Sequence, residues 1–577
     1  MRAHRSLIAI LPLALLGACA TAKPAQETAA YVRETGPLEG SSYGLFLAGQ
    51  AALQDGRADQ ASEYFMRATE GGAMDGGFLK EKAFMAALLG GEVTKAASLA
   101  PVVPDDNEAA YRMGLLVRAV EGMAQGRAKE ARALLAPEAV GFPHRPAAAL
   151  LRPWIAAAAG DTEGSLVRPV VNGDKVVEYF GLLGQAQLFE RARRYDEAET
   201  DYKALAAMPE FGSLFVLDYG AFLERRNRRA DAVELYNVAL AHDPGDAELT
   251  AARARAQASG TAPALPSIRE GAAKALTPAA AAVLGERQID LARAYLRLSL
   301  RLDPERYEAW VLLGDLSAQM GDMQGAREAY LRVPPSSPEY SQARSRLAWS
   351  YQSEDDSAQA LKMAAEAVAA NPDDRDLAMN YADLLRANDR YAEANEVLSK
   401  LIAAEGESPD WRLLYMRGVT LERLGRWPDA EADLKQALSQ QPDEPELLNY
   451  LGYTWIDRGE RLQEALDMVR RASEANPNSG AMVDSLGWAY YRLGDYKQAV
   501  EKLERAVELD PADPEINHHL GDAYWRVGRR TEAQYQWRRV LTLKPNDETR
   551  AAVEGKLKSG LGPAPAKPAA RIASAAG

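Results

Sequence analysis

A spacing constrains this chain more than any other feature. Near the C-terminal end a glycine recurs at Gly418, Gly452, Gly487 and Gly521, in steps of 34, 35 and 34 residues. An alanine keeps the same period at Ala430, Ala465, Ala499 and Ala533, and a proline closes each interval at Pro442, Pro477, Pro511 and Pro545. Such a period marks one supersecondary unit used many times, each unable to bury its apolar face alone, so that neighbours stack into a continuous core. The small residues fall where two helices approach closely. The proline, which lacks an N–H and clashes with the preceding turn, stops the second helix. Gly425-Arg426, Gly494-Asp495 and Gly528-Arg529 supply the turns between helices. The 577 residues would otherwise suggest about four globular domains; the period predicts helical hairpins throughout.

These marks resemble the tetratricopeptide repeat, a 34-residue helix–turn–helix with a small residue at position 8, Ala at 20, an aromatic or apolar residue at 24, Ala at 27 and Pro at 32. Residues 480–511 fit closely, with Leu486-Gly487, Tyr490, Ala499, Leu503, Ala506 and Pro511. Further back the frame is carried by Trp310, Gly314, Ala326, Tyr330 and Pro338, then by Ala348, Tyr351, Ala360, Ala367 and Pro372. Earlier units show Gly220, Leu223, Ala232, Tyr236, Ala239 and Pro244, and Gly49, Ala61, Phe65 and Ala68. Over 79–175 the marks (Ala119, Ala131, Leu135) are degenerate. The resemblance implies an all-α fold, a right-handed α-solenoid of about 12–14 units. An N-terminal block is expected over 43–244 and a C-terminal block over 280–548. At 245–279 the frame fails, and the proline-broken Gln257–Pro266 stretch reads as an irregular joint, with a partner-binding insertion as the alternative. Residues 549–577 read as an end helix and a disordered, basic Pro/Ala-rich tail, with contact to anionic glycan or lipid as the alternative to a solvated one.

The first residues read as an address. Arg2 and Arg5 precede an apolar run, Leu7–Leu16, with small residues at its end, the pattern of a secretory signal peptide over 1–18. The run is too short to span a bilayer. Leu16-Gly17-Ala18-Cys19 resembles the bacterial lipobox, which implies cleavage before Cys19 and acylation of that residue; the alternative is a secreted chain whose cysteine is incidental. Cys19 is the sole cysteine. Ala20 after it implies, by the same resemblance, delivery to the outer membrane. Residues 19–42 then form a lipidated tether, so membrane attachment is expected through the lipid alone.

Composition narrows the chemistry. A formal charge of −14 opposes nucleic-acid binding, and five histidines with one cysteine leave no structural Cys/His zinc site. Gly40-Ser41-Ser42-Tyr43-Gly44 matches the nucleophile-elbow pattern but lacks a preceding strand, so a serine capping a helix is the better reading. His518 and His519 are adjacent, which on a helix points them apart rather than toward one metal. No cofactor and no catalytic residue are expected.

What remains is the inner groove. In the repeat family it resembles, positions 2, 5, 9 and 12 of each first helix face the concave wall. They place Asn449, Tyr453 and Ile456, then Asp484, Trp488 and Tyr491, then His518, Asp522 and Trp525 on it, with Arg492 and Arg526 able to swing inward. Aromatics with Asn, Asp, His and Arg are the composition of protein-binding hot spots; packing against neighbouring helices is the alternative for the two tryptophans. No repeat carries the Lys-and-Asn pair by which chaperone adaptors of the family grip a C-terminal carboxylate. With the tether, the stretches Leu448–Gly459, Asp484–Gly494 and His519–Trp525 resemble the outer-membrane tetratricopeptide lipoproteins of Gram-negative bacteria. Within these they resemble a subgroup that serves as adaptor for a periplasmic carboxyl-terminal processing protease. The resemblance implies a non-enzymatic, periplasm-facing scaffold with protein partners. The alternatives are an assembly factor for a secretion, pilus or polysaccharide-export machine and, last, a peptidoglycan-acting enzyme.

Overall fold

The computed structural model describes residues 40–563, apart from 73, 105–107, 137–138, 209–211, 244–245 and 407. The expected signal peptide, Cys19, most of the tether, Pro244 and the tail from 564 onward lie outside the described residues. Among the described residues there are thirty α-helices and no strand. They divide into two compact units, Met1–Asp356 and Ser357–Gly577.

Unit 1 opens with six hairpins. The first three are α1 (Ser42–Gln54) with α2 (Ala58–Glu70), α3 (Gly76–Leu89) with α4 (Val93–Leu99), and α5 (Glu108–Ala124) with α6 (Ala128–Leu134). The next three are α7 (Arg145–Ala158) with α8 (Thr162–Ser165), α9 (Lys175–Arg191) with α10 (Tyr195–Ala206), and α11 (Val216–Arg225) with α12 (Arg229–His242). Ser41 starts α1 as its cap, Oγ accepting from the Gly44 N–H at 3.1 Å, so the elbow-like motif is a helix start.

The glycine at position 8 meets the residue sixteen places on, at position 24, in most repeats, and at Gly452 the one after it, Val469, comes nearer still. A Cβ on Gly49 would lie 2.6 Å from the Phe65 ring, one on Gly314 2.4 Å from Tyr330, and one on Gly521 2.6 Å from Trp537. Any side chain there would drive the two helices of a hairpin apart.

The degenerate stretch 79–175 has a local cause. Its second helices α4, α6 and α8 are only 7, 7 and 4 residues long, so there is little helix on which the later marks can stand. The marks that remain, Ala119, Ala131 and Leu135, are all in the core.

Residues 245–279, expected as an irregular joint, are mostly helical. They hold α13 (Ala247–Gln257) and the first part of α14 (Ile268–Gly285), which pairs with α15 (Ile289–Leu302). The proline-broken segment between α13 and α14 is a return strap. Its carbonyls take hydrogen bonds from Arg229 at Gly260, from Arg225 at Pro263 (2.9 Å) and from Arg191 at Pro266, so it runs back from α12 toward α9. The strap delivers the α14–α15 hairpin across the first helices α3, α5, α7 and α9. Trp154 of α7 is 2% exposed and marks the closeness of that contact, since a Cβ on Gly271 of α14 would lie 2.2 Å from its ring. Polar groups of α15 fit the same wall. Arg301 grips the buried Glu121 at 2.7 and 3.1 Å, Tyr295 meets His144 at 2.9 Å, and Arg297 donates to the Leu89 carbonyl at 2.9 Å. Unit 1 ends with α16 (Tyr307–Gln319), its partner α17 (Met323–Leu331), and α18 (Tyr340–Gln352).

Unit 2 begins with α19 (Ser357–Ala370) and continues in regular hairpins. These are α20 (Arg375–Ala387) with α21 (Tyr391–Glu405), α22 (Trp411–Arg423) with α23 (Trp427–Gln440), and α24 (Pro445–Arg458) with α25 (Leu462–Ala475). Then come α26 (Gly480–Arg492) with α27 (Tyr496–Leu509), α28 (Pro514–Arg526) with α29 (Arg530–Thr542), and a closing helix α30 (Asp547–Ser559). The turns expected at Gly425, Gly494 and Gly528 have φ of 73°, 81° and 85°. The eight hairpins of unit 1 and five of unit 2 agree with the number the period implied.

Candidate functional site

The first helices α24, α26 and α28 lie side by side and form one wall of unit 2. Positions 5, 9 and 12 do fall together there, but the side chains satisfy one another more than the sequence suggested. Asp484 is 5% exposed, and its two oxygens face Nδ1 of His519 at 2.9 and 3.1 Å. Burial lifts the Asp484 carboxyl above its ordinary value, with the His519 charge opposing. Burial alone would lower His519, but the Asp484 carboxylate and its hydrogen bond raise it.

Trp488 is sandwiched: its ring stacks on His519 at 4.0 Å and on Tyr491 at 4.6 Å. Both faces are thus spent on packing, which corrects the expectation of an open aromatic hot spot and leaves only an edge. Its Nε1 is buried without a hydrogen-bond partner, as is Oδ1 of Asn449. Tyr491 is buried as well, its hydroxyl accepting from Arg526 Nε at 3.2 Å.

The far end of the wall is closed by α30. Asp522, 3% exposed, accepts from Trp537 Nε1 at 3.0 Å and from Lys556 Nζ at 2.7 Å. Lys556 also donates to His518 Nε2. Burial lowers His518 to about 4, with Asp522 opposing and Lys556 adding to the fall, so the ring is neutral and can accept that proton. Trp525 packs on Trp537 at 5.3 Å and lies under Gly560, while Arg526 Nη1 donates to the Gly562 carbonyl at 2.6 Å. Asp484, Tyr491, Asp522 and Trp525 therefore serve the fold of this wall first.

The accessible part is smaller and more polar. Asn449 and Tyr453 are half-buried, and the Tyr453 hydroxyl reaches over α26 to the exposed Glu515 of α28. Arg492 donates to the Asp457 carbonyl at 2.9 Å beside the exposed Asp457 carboxylate. Ile456, expected on the wall, is fully buried. Glu515, His519 and Lys556 were not anticipated. Glu515 sits at position 2, which the frame already assigned to the wall; nothing in the sequence marked the other two as partners of Asp484 and Asp522. Among the described residues no three His, Cys, Asp or Glu side chains are grouped to hold a metal, and no helix is long and apolar enough to cross a membrane.

Family models recognise the chain's repeats. A model described as "Tetratricopeptide repeat" matches 183–247, 277–341 and 415–480, a second of the same description matches 351–416, and a "TPR repeat" model matches 487–528. A TPR repeat-containing protein of Pseudomonas aeruginosa is 34% identical over 118 residues, 20% of either chain, so this chain spans about a fifth of the curated relative it matches. Among solved structures, a tetratricopeptide repeat protein of Parabacteroides merdae is 16% identical, with 44% of this chain and 97% of that one covered and a TM-score of 0.36. The Cut9–Hcn1 hetero-tetramer of the APC/C is 15% identical, with 91% and 97% covered and a TM-score of 0.38. From residue 183 to residue 528, repeat after repeat, the chain belongs to the tetratricopeptide-repeat proteins.

Proposed function

We propose that the protein is a non-enzymatic scaffold, anchored in the outer membrane through a lipidated Cys19 and facing the periplasm, that holds a carboxyl-terminal processing protease and its substrates together. The observation that carries this reading is the wall of α24 and α26. No other helix among the described residues of unit 2 is laid across it, its shape is fixed by the buried Asp484–His519–Trp488 cluster, and it displays Tyr453, Asp457, Arg492 and Glu515. A pre-shaped wall of charged and amphipathic groups suits an extended or helical segment of a protein partner. Two partners held on one tethered body meet as if linked, which raises their effective concentration without new contacts between them. The acyl chains expected on Cys19 supply the multiple anchors that stable membrane attachment needs.

Crosslinking and pull-down from envelope fractions tests the reading, with an Asn449→Ala/Arg492→Glu variant as control. Recovery of a processing protease by the native protein, lost in the variant, supports it. Recovery of secretion, pilus or polysaccharide-export subunits instead makes the protein an assembly factor. Turnover of cell-wall fragments by the purified protein would replace the scaffold with an enzyme. A Cys19→Ser protein that still partitions into the detergent phase after cell lysis would remove the lipid anchor.

A further inference from the structure

We propose that one edge of unit 1 rests on a lipid bilayer through a row of apolar loop tips. In a stack of hairpins every first helix begins, and every second helix ends, at the same edge, so the connections between hairpins line up along it. Along this edge stand Tyr43 at the start of α1, Phe78 at the start of α3, Val102 between α4 and α5, Phe142 between α6 and α7, and Val167 and Val170 between α8 and α9. They are 42–74% exposed, and they form a large share of the exposed bulky apolar side chains among the described residues.

The matching connections of unit 2 are short and polar: Asn371–Asp374, Gln441–Glu444, Asn476–Ser479 and Asp510–Asp513, none with an exposed bulky apolar residue. In unit 1 the shortened helices α4, α6 and α8 give up their length to longer loops, and Val102, Phe142, Val167 and Val170 are on those loops. Exposed apolar residues gathered along one edge call for a partner.

Two observations favour a lipid surface over a protein. The residues are divided among separate helix starts and connections, each offering one or two apolar side chains, which suits insertion among lipid chains. Tyr43 stands 24 residues after Cys19 and at this same edge. That separation cannot exceed about 86 Å even when fully extended, so a lipid on Cys19 would keep the edge near the membrane. The identity of the surface rests on the lipid-anchor reading; the edge itself does not.

The test uses the mature chain carrying Cys19→Ser, which has no acyl group, and vesicles of phosphatidylethanolamine with phosphatidylglycerol. The unlipidated protein is expected to float with the vesicles in low and in high salt. A Val102→Asp/Phe142→Asp/Val167→Asp variant with an unchanged melting curve is expected to bind about ten-fold less or weaker still. An environment-sensitive dye on Val103→Cys is expected to shift to the blue on vesicle addition, while the same dye on Asp443→Cys of unit 2 stays unchanged; these variants need no change in the core. Absence of flotation, equal flotation of the triple variant, loss of binding in high salt, or a silent dye at 103 would each overturn the proposal. A dimer seen in sedimentation that the triple variant abolishes, with no vesicle binding, would instead make the edge a contact between two copies. Acylation of Cys19 is read separately by fatty-acid labelling of the native protein. Labelling without flotation sinks the edge and keeps the anchor; flotation without labelling does the reverse.

Discussion

The first helices α3, α5, α7 and α9 of unit 1 carry a hairpin of their own chain across them, whereas in unit 2 α30 closes off α28 and leaves α24 and α26 uncrossed, braced by side chains. Both walls are built from the same repeat, with small residues at position 8 and large ones at position 24. In unit 1 the α14–α15 hairpin converts the wall into core, and one apolar cluster runs from Phe84 to Leu316. In unit 2 buried polar pairs such as Asp484–His519 and Asp522–Lys556 hold the shape of the wall. A repeat frame thus fixes how a hairpin packs on itself and leaves open what its inner face is for.

Four measurements can break or sharpen that contrast. The largest effect is expected for Trp154→Ala, which empties the contact between α7, α9 and α14. It should cost unit 1 about 3–5 kcal/mol, read by hydrogen exchange as faster opening of residues 76–302 with unit 2 unchanged. Equal acceleration in both units would mean that the hairpin is not what holds unit 1 together.

Arg301→Ala should cost about 1–3 kcal/mol, because Glu121 loses its bidentate partner while remaining buried; Arg301 is itself about one-third exposed, which moderates the effect. Burial opposes ionisation of Glu121, but the bonds from Arg301 and Thr94 and the charge of Arg301 prevail and hold it below its ordinary value. The stability this contributes is present above the ordinary carboxyl range and is lost as pH falls through the lowered value. A Glu121→Gln chain should show a flatter acid limb in its melting temperature.

The adjacent histidines of unit 2 should act with opposite signs. His519 is raised above 6.5, so its contribution is complete below that pH and disappears as pH rises through its folded value. Asp484 is also raised, so the folded pair holds protons more tightly than the unfolded chain and the sign is the same. His518 is lowered from 6.5 to about 4, so stability falls as pH drops across that interval. His519→Gln should flatten the alkaline limb of unit 2 and His518→Gln the acid limb. If neither limb moves, the wall does not depend on these rings.

The smallest effect is expected for Tyr453→Phe, which removes only the bond to Glu515 and should cost about 0.5–1 kcal/mol in unit 2 alone. A larger loss would show that the bridge over α26 supports the wall as well as decorating it.

Sequence reasoning reached the fold because packing inside a hairpin is local. Gly521 and Trp537 lie sixteen residues apart, and their contact leaves a mark in every copy. It misread 245–279 because α14 is rich in Gly and Ala and contains Pro278, which looks like a linker when read alone. Those small residues answer to Trp154, more than a hundred positions earlier, and no period records such a partner. The site shows the same limit. Helical spacing placed Asp484, Trp488 and Asp522 on one wall, but their partners His519 and Lys556 come from later helices, and only the packed structure shows that these groups are spent on one another.

The hairpin in unit 1 also changes how this chain can fold. A solenoid ordinarily has low contact order and can nucleate in any repeat and spread. Here Arg297 bonds the Leu89 carbonyl across 208 positions, and Arg301 bonds Glu121 across 180. A chain released from its N-terminus holds four hairpins, α3 to α10, with a bare apolar wall until residues 268–302 arrive, a half-built state that is slow to close and exposed to aggregation. The helices around α14 and α15 must therefore complete themselves together, and a truncation at a repeat boundary between residues 89 and 302 leaves their shared core unfinished.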